Sequence, residues 1–291
     1  SPALPAALVA ELSALLGAEG WRMDDSALEA NAQDNSWRHQ RPAAVAQPAS
    51  IEQVQALVRA CRAHHVALVA RGAGTGTTGA AVPLPGSIVL SFTRMDRIVE
   101  IRAGDRCAVV QPGVLNGALQ QALAPHGLFW APDPSSAEIC SVGGNLACNA
   151  GGPRAVKYGT SRDNVLGLVA VTGTGDVIRC GGAYTKDATG YDLTHLLVGS
   201  EGTLALIVEA TLKLTPLPVS QAGLRVLYRD ADAAAAEKRK HLDRVHRHDR
   251  KTHKAQNIPA KAAKARGKAS RRGSVRGRAS RERRVLRFMC V

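Results

Sequence analysis

Residues 71–86 read Arg-Gly-Ala-Gly-Thr-Gly-Thr-Thr-Gly-Ala-Ala-Val-Pro-Leu-Pro-Gly, and they follow directly on the apolar run 66–70. Gly74, Gly76 and Gly79 match the G-x-G-x-x-G spacing of a nicotinamide-binding turn. That fingerprint requires its last glycine at the start of a helix. Here Ala80, Ala81 and Val82 lead straight into Pro83, Pro85 and Gly86, which forbid a helix of useful length. No Lys-Ser/Thr pair follows the glycines, so the run is not a P-loop either. What remains is a strand–loop–strand unit whose backbone amides form a nest suited to a pyrophosphate. Arg71 would add charge, and the Thr75, Thr77 and Thr78 hydroxyls would add hydrogen bonds.

A second glycine-rich run lies farther along. Residues 132–152 read Pro-Asp-Pro-Ser-Ser-Ala-Glu-Ile-Cys-Ser-Val-Gly-Gly-Asn-Leu-Ala-Cys-Asn-Ala-Gly-Gly. Pro132 and Pro134 form turns, and Ser141 takes an N-cap position before a short helical stretch. Glycine pairs flank that stretch at Gly143-Gly144 and Gly151-Gly152, which brings bare backbone close to a neighbour or a ligand. The amides around Ser141 to Asn145 are expected to point outward at the helix start, where they suit an anion or a carbonyl-rich ring. An ordinary glycine-rich loop is the plain alternative. Taken together, the two runs point to a large dinucleotide held between two subdomains.

The overall charge of +14 is unevenly spread. Residues 1–236 carry 18 Lys/Arg and 20 Asp/Glu, a near-neutral balance, whereas residues 237–291 carry 20 Lys/Arg against 4 Asp/Glu. The first part is rich in Ala, Val, Leu and Gly, enough for a sizeable core. Its six-cysteine complement (Cys61, Cys107, Cys140, Cys148, Cys180 and, in the basic part, Cys290) contains no C-x-x-C pair and no zinc-like spacing with histidine. Reduced thiols in a cytoplasmic protein are the simplest account. The apolar stretch 3–17 is interrupted by Glu11 and has no basic segment before it, which argues against a signal peptide. No apolar run is long enough to span a bilayer.

Periodicity places a helix over 3–17 ending at Gly17 and a short strand over 43–47. Ser50 with Gln53 predicts a capping box for a helix over 51–64, with Val54, Leu57, Val58 and Cys61 on one face. Strands at 66–70 and 88–91 complete a small α/β unit with parallel pairing. Shorter strands follow at roughly 97–101, 107–111, 166–172, 176–180 and 204–214, with helical stretches at 114–124 and 141–148. The expected architecture is a small α/β piece followed by a strand-richer α+β piece. His39, His64, His65, His126 and His195 show no metal-ligand spacing and read as surface or satisfied side chains, and no metal site is expected.

The motifs in order are 71–79, Pro-Asp-Pro-Ser-Ser (132–136), Ser-Val-Gly-Gly-Asn-Leu-Ala-Cys-Asn-Ala-Gly-Gly (141–152), Lys-Tyr-Gly (157–159), Thr-Gly-Tyr-Asp-Leu (189–193) and Gly-Ser-Glu-Gly-Thr-Leu (199–204). This series resembles the FAD-linked oxidases with a PCMH-type flavin domain, within the D-lactate, glycolate and D-2-hydroxyglutarate dehydrogenase branch, and the resemblance covers about residues 20–228. It implies an α+β fold: an N-terminal helical segment (1–36), then a PCMH-type FAD-binding domain (37–218) of two α/β subdomains, about 37–95 and 96–218, then the start of a cap domain (219–236).

The resemblance also implies the site. Arg71, Gly72, Ala73, Gly74, Thr75, Gly76 and Gly79 would cradle the FAD pyrophosphate. Pro132, Asp133, Ser135 and Ser136 would line the cleft. Ser141, Gly143, Gly144, Asn145, Asn149, Gly151 and Gly152 would lie along the flavin, ribityl and phosphate groups. Tyr158 would border the site, and Glu201, Gly202 and Ile207 would close it around the adenine side. Local alternatives stand beside these roles: Ser135 and Ser136 as turn residues, Tyr158 as core, Glu201 as a cap. Thr75 stands where some relatives attach the flavin through a histidine, so the FAD is expected to be non-covalent. Lys186, Asp187 and Asp192 read as structural.

The resemblance further implies oxidation of a D-2-hydroxy acid to the 2-oxo acid by hydride transfer to the flavin, with electrons leaving to an unidentified acceptor. It stops near Asp232. Residues 237–291 have one aromatic, Phe288, and almost no hydrophobic periodicity, a composition expected to be disordered. An out-of-frame translation of a GC-rich gene accounts for that composition, and a weak, salt-sensitive nucleic-acid tail is the competing reading. On this view the chain is truncated before the cap domain and impaired, since the substrate-binding groups of relatives come from the segments it lacks. No catalytic residue is named. A non-catalytic FAD-binding remnant is the alternative.

Overall fold

The computed structural model describes residues 3–186, 188–220 and Ala235. The chain divides into two units, Ser1–Pro218 and Val219–Val291. The 237–291 tail lies outside the described residues, and so do Asp187 and Cys290.

The first unit opens with α1 (Ala6–Gly20), whose Leu8, Leu12 and Leu16 recur at helical spacing and are buried. Gly17 takes φ 65°, so the expected stop is a kink, and the helix resumes to Gly20. Strand β1 (Trp21–Arg22) and helix α2 (Asp25–Ala30) follow, then β2 (Ala44–Ala46). Helix α3 (Ile51–Ala63) begins at the predicted cap: Ser50 Oγ accepts from Gln53 N at 3.3 Å, while Gln53 Oε1 accepts from Ala49 N at 2.8 Å. It buries Val54, Leu57, Val58, Ala60 and Cys61. Strands β3 (Leu68–Arg71) and β4 (Ile88–Ser91) complete a four-stranded sheet in the order β1-β2-β4-β3, and β4 pairs in parallel with both β2 and β3. The expected parallel α/β unit is present, with β4 seated between the two strands that α3 connects.

The rest is an antiparallel five-stranded sheet. Its strands are β5 (Ile98–Arg102), β6 (Cys107–Val110), β8 (Val165–Thr172), β9 (Val177–Gly181) and β10 (Ala205–Lys213), in the order β5-β6-β10-β8-β9. Helix α4 (Asn116–Leu123), strand β7 (Leu128–Phe129), and the short helices α5 (Val142–Ala147), α6 (Ala155–Tyr158) and α7 (Leu193–Leu197) lie between them in sequence. A two-residue strand, β11 (Thr215–Pro216), pairs with β7.

Two hydrophobic clusters form the core, and strand alternation divides β8 and β10 between them. Leu206, Val208 and Val171 join α1, α3 and the four-stranded sheet. Ala205, Ile207, Leu168 and Ala170 join Leu119, Trp130, Val142 and Leu146 on the other side. Strands β8 and β10 are thus packed on both faces, while the edge strands β5 and β9 are only partly covered.

Candidate functional site

The loop after β3 is built from glycines for a reason visible at Arg71. Its side chain turns back under the loop and is buried. Nη2 donates to Gln33 O at 2.8 Å and Nη1 to Ala81 O at 3.4 Å. A Cβ on Gly74, which has φ 71°, would sit 2.2 Å from Arg71 Nη2, so the backbone lies flat on the guanidinium. Burial pushes the Arg71 pKa down, and the nearby Asp34 carboxylate opposes that shift. Asn35 holds the loop from outside: its N–H donates to Gly76 O at 2.9 Å and its Nδ2 to Thr75 O at 3.3 Å. Among the described residues, none of the backbone N–H groups of 73–79 has an acceptor within the protein. The loop therefore presents a row of uncommitted donors, as a nest does.

The second run behaves differently. Ser141 caps α5, its Oγ accepting from Gly144 N at 3.2 Å. Val142 N donates to Val114 O and Gly143 N to Pro112 O, both at 2.8 Å, and Asn145 N donates to Ser141 O at 2.9 Å. The amides of residues 142–145 are all committed internally. This corrects the expectation that they face outward toward an anion. The glycines serve close packing instead: a Cβ on Gly143 would lie 2.5 Å from Pro112 Cβ. A Cβ on Gly72 would lie 2.3 Å from Ser141 Oγ, so the two runs touch here.

Between them lies a cleft of about 360 Å³. Of the sequence-predicted residues, Arg71, Gly72, Ala73, Gly74, Thr75, Gly76, Ser135, Ser136, Ser141, Gly143, Gly144, Asn145, Glu201, Gly202 and Ile207 line it. Asn145 is buried, and its Nδ2 has no hydrogen-bond partner.

Gly79, Pro132, Asp133, Asn149, Gly151, Gly152 and Tyr158 do not line the cleft, and most have visible structural work. Asp133 ties the wall to the segment after α5: its N–H donates to Gly151 O at 2.8 Å, and its Oδ1 accepts from Arg154 N at 2.9 Å. Gly152 passes so close that a Cβ there would stand 2.0 Å from Asp133 O. Pro132 O accepts from Asn116 Nδ2 at 3.0 Å, and Asn149 Oδ1 accepts from Arg162 N at 3.0 Å. Tyr158 packs edge-on against Phe129, with centroids 5.3 Å apart. Gly79 rests against Arg38 and Ser36.

Several cleft residues were not expected, among them Asp34, Pro112, Cys148 and Leu206. Asp34 is buried; its Oδ1 accepts from Ser36 N at 2.8 Å, while Oδ2 has no partner. Nothing in its local sequence marks it, because its neighbours in the cleft are residues of the 71–81 segment. The Cys148 thiol is held above its ordinary pKa, by burial first and by the Glu201 and Asp34 charges after it. None of the five body histidines lines the cleft. Asp192 caps α7 and pairs with His195 Nδ1 at 2.5 Å, consistent with a structural reading. The described residues contain no metal-binding cluster, all their cysteines are free, and none of their helices is long and apolar enough to cross a membrane.

The family model described as "FAD binding domain" matches residues 42–181. The glycolate oxidase subunit GlcD of Bacillus subtilis is 45% identical over 194 residues, covering 67% of this chain and 41% of that protein. The D-2-hydroxyglutarate dehydrogenase of Stutzerimonas stutzeri is 43% identical over 221 residues, covering 75% of this chain and 47% of that protein. The chain thus spans less than half the length of these curated relatives. Among solved structures, an alkyldihydroxyacetonephosphate synthase superposes with a TM-score of 0.68 at 26% identity, over 75% of this chain and 42% of that one. The 4-ethylphenol oxidase of Gulosibacter chungangensis gives 0.65 at 25% identity, over 75% and 44%.

Proposed function

We propose that this chain, whose residues 42–181 match an FAD-binding domain, belongs with the FAD-linked oxidases and serves the oxidation of a D-2-hydroxy acid to the 2-oxo acid. The substrate would be of the lactate, glycolate or 2-hydroxyglutarate class, as the names of its relatives suggest. The observation that carries the reading is the row of uncommitted amides at 73–78, in a loop that lines a cleft whose far wall includes Gly143 and Gly144. The residues present suit a flavin dinucleotide. The loop amides suit its pyrophosphate, and the orphaned Asn145 Nδ2 suits a hydroxyl or ring carbonyl. Thr75 offers no imidazole for attachment, so the cofactor is held without a covalent bond.

When bound, the flavin supplies the hydride-accepting chemistry, and the protein supplies binding and orientation. Arg71 is the one cation lining the cleft among the described residues, and it donates to two main-chain carbonyls. A substrate carboxylate would accordingly be met by groups outside the described residues. A separate electron acceptor would reoxidise the cofactor.

Absorbance of the purified protein tests this directly. A flavin band bleached anaerobically by D-lactate, glycolate or D-2-hydroxyglutarate supports the oxidase. A flavin band inert to all three makes this chain an FAD-binding module without turnover, and a protein that takes up no FAD overturns the reading.

A further inference from the structure

We infer that Arg71 is a positioning residue, the fork on which the 72–81 loop is hung, and that the segment 33–38 forms part of the cofactor cradle although it lies before the matched residues 42–181. This deepens the reading above and rests on it for the identity of the ligand.

Arg71 stands where a cation against a pyrophosphate is expected, at the end of β3 and at the edge of the cleft. Its hydrogen bonds go elsewhere. One arm donates to Gln33 O and the other to Ala81 O, so a single planar group joins the N-terminal segment to the far end of the loop. Gly74 covers its face, with Nη2, Cζ and Nε all within 3.2 Å of where a Cβ would be. Asp34, buried nearby, opposes the downward shift of its pKa without pairing with it. The guanidinium is thus committed to two carbonyls and roofed by backbone, and the negative charge of a bound pyrophosphate falls to the loop amides.

The segment 33–38 completes the frame. Asn35 donates twice to the loop, to Gly76 O and Thr75 O. Gly79 packs on Ser36 and Arg38. The carbonyls of Thr75 and Gly76 are thereby drawn to the outer side, and a peptide whose carbonyl is held outward carries the next N–H toward the cleft. Lysine cannot replace the fork, because an ammonium is a point charge on a flexible stem and lacks the planar two-armed geometry.

The test uses the full chain with R71K, R71M and N35A, with two readouts. Hydrogen exchange at the Asn35 amide, which donates to Gly76 O, reads the frame in ligand-free protein without any cofactor. The affinities for FAD and for riboflavin, which lacks phosphate, read its consequence. Both Arg71 variants should exchange faster at the Asn35 amide than the wild type, because the loop carbonyl it bonds is no longer held in place. Both should bind FAD about 30-fold more weakly, the scale of losing hydrogen bonds from a charged group, with riboflavin affinity little changed. N35A keeps Arg71 and should show the same pattern at reduced size, which covers the case in which the Arg71 variants do not fold. Wild-type exchange in R71K, or FAD affinity restored by lysine but not by methionine, overturns the inference and makes Arg71 a phosphate counter-charge. If the wild type takes up no FAD, the functional reading fails, while the exchange result still decides the frame.

Discussion

The two glycine runs that face each other across the cleft use the same residue for opposite ends. In 72–79 Gly72 and Gly74 pack closely, but the amides stay open: among the described residues N–H groups 73–79 have no acceptor, and a Cβ on Gly76 would have nothing within 4 Å. In 141–152 they let backbone meet backbone: amides 142–145 are all bonded, and a Cβ on Gly143 or Gly152 would collide with main-chain or proline atoms. One run is a surface for a ligand and the other is a joint. Composition alone does not separate them. What separates them is whether each amide finds an acceptor elsewhere in the chain.

Substitution at the joint should have the largest effect. Gly152→Ala places a methyl 2.0 Å from Asp133 O at a backbone φ of 108°, so both strain and a clash apply. It should cost about 3 kcal/mol, several degrees of melting temperature. A thermal melt within a degree of wild type would break the comparison.

Gly76→Ala is the counterpart in the open loop. With free space around its Cβ, the melt should stay within about 0.5 kcal/mol of wild type. FAD affinity, measured by quenching of flavin fluorescence, should fall about tenfold as the methyl enters the space of the ligand. Ser141→Ala removes only the cap on Gly144 N and should cost about 1 kcal/mol in the same melt.

The thiols sharpen the contrast with the smallest expected changes. Cys148 lies on the cleft-facing end of the joint, and Cys61 is buried on the core face of α3. Iodoacetamide should alkylate Cys148 and leave Cys61 unmodified, with FAD slowing the reaction. The rate should rise only at alkaline pH, because burial and the Glu201 and Asp34 charges disfavour the thiolate. Burial pushes the Cys61 pKa from 9.0 up to about 12. The folded state therefore keeps a proton that the unfolded chain releases. The stabilising contribution is complete below pH 9 and is lost as pH rises from there toward 12. In a Cys61→Ala variant, the melting temperature should fall less steeply across that interval.

Much of this was legible in the sequence. Pro83 and Pro85 exclude a helix after the glycine loop, and the structure places turns there and then β4. The Ser50 and Gln53 cap, the apolar face of α3 and the strand at 88–91 are all local patterns, so they could be read locally. The misread parts depend on partners distant in sequence. Ser141 to Asn145 looks like a free helix start until Pro112 and Val114 arrive to accept its amides. Asp133 looks like a cleft residue until Arg154 claims its carboxylate. Asp34 carries no local signal, since its place in the cleft is set by residues some forty positions away.

Selective ¹⁵N labelling of glycine gives the most direct test, because both runs then report in one spectrum. The quantity to measure is amide exchange with water, with and without FAD. Gly74 and Gly76 should exchange fast in the free protein and be slowed about tenfold or more by FAD. Gly143 and Gly144 should exchange slowly in both states. Gly143 and Gly144 exchanging freely until FAD binds, with Gly74 and Gly76 indifferent to it, would contradict the account.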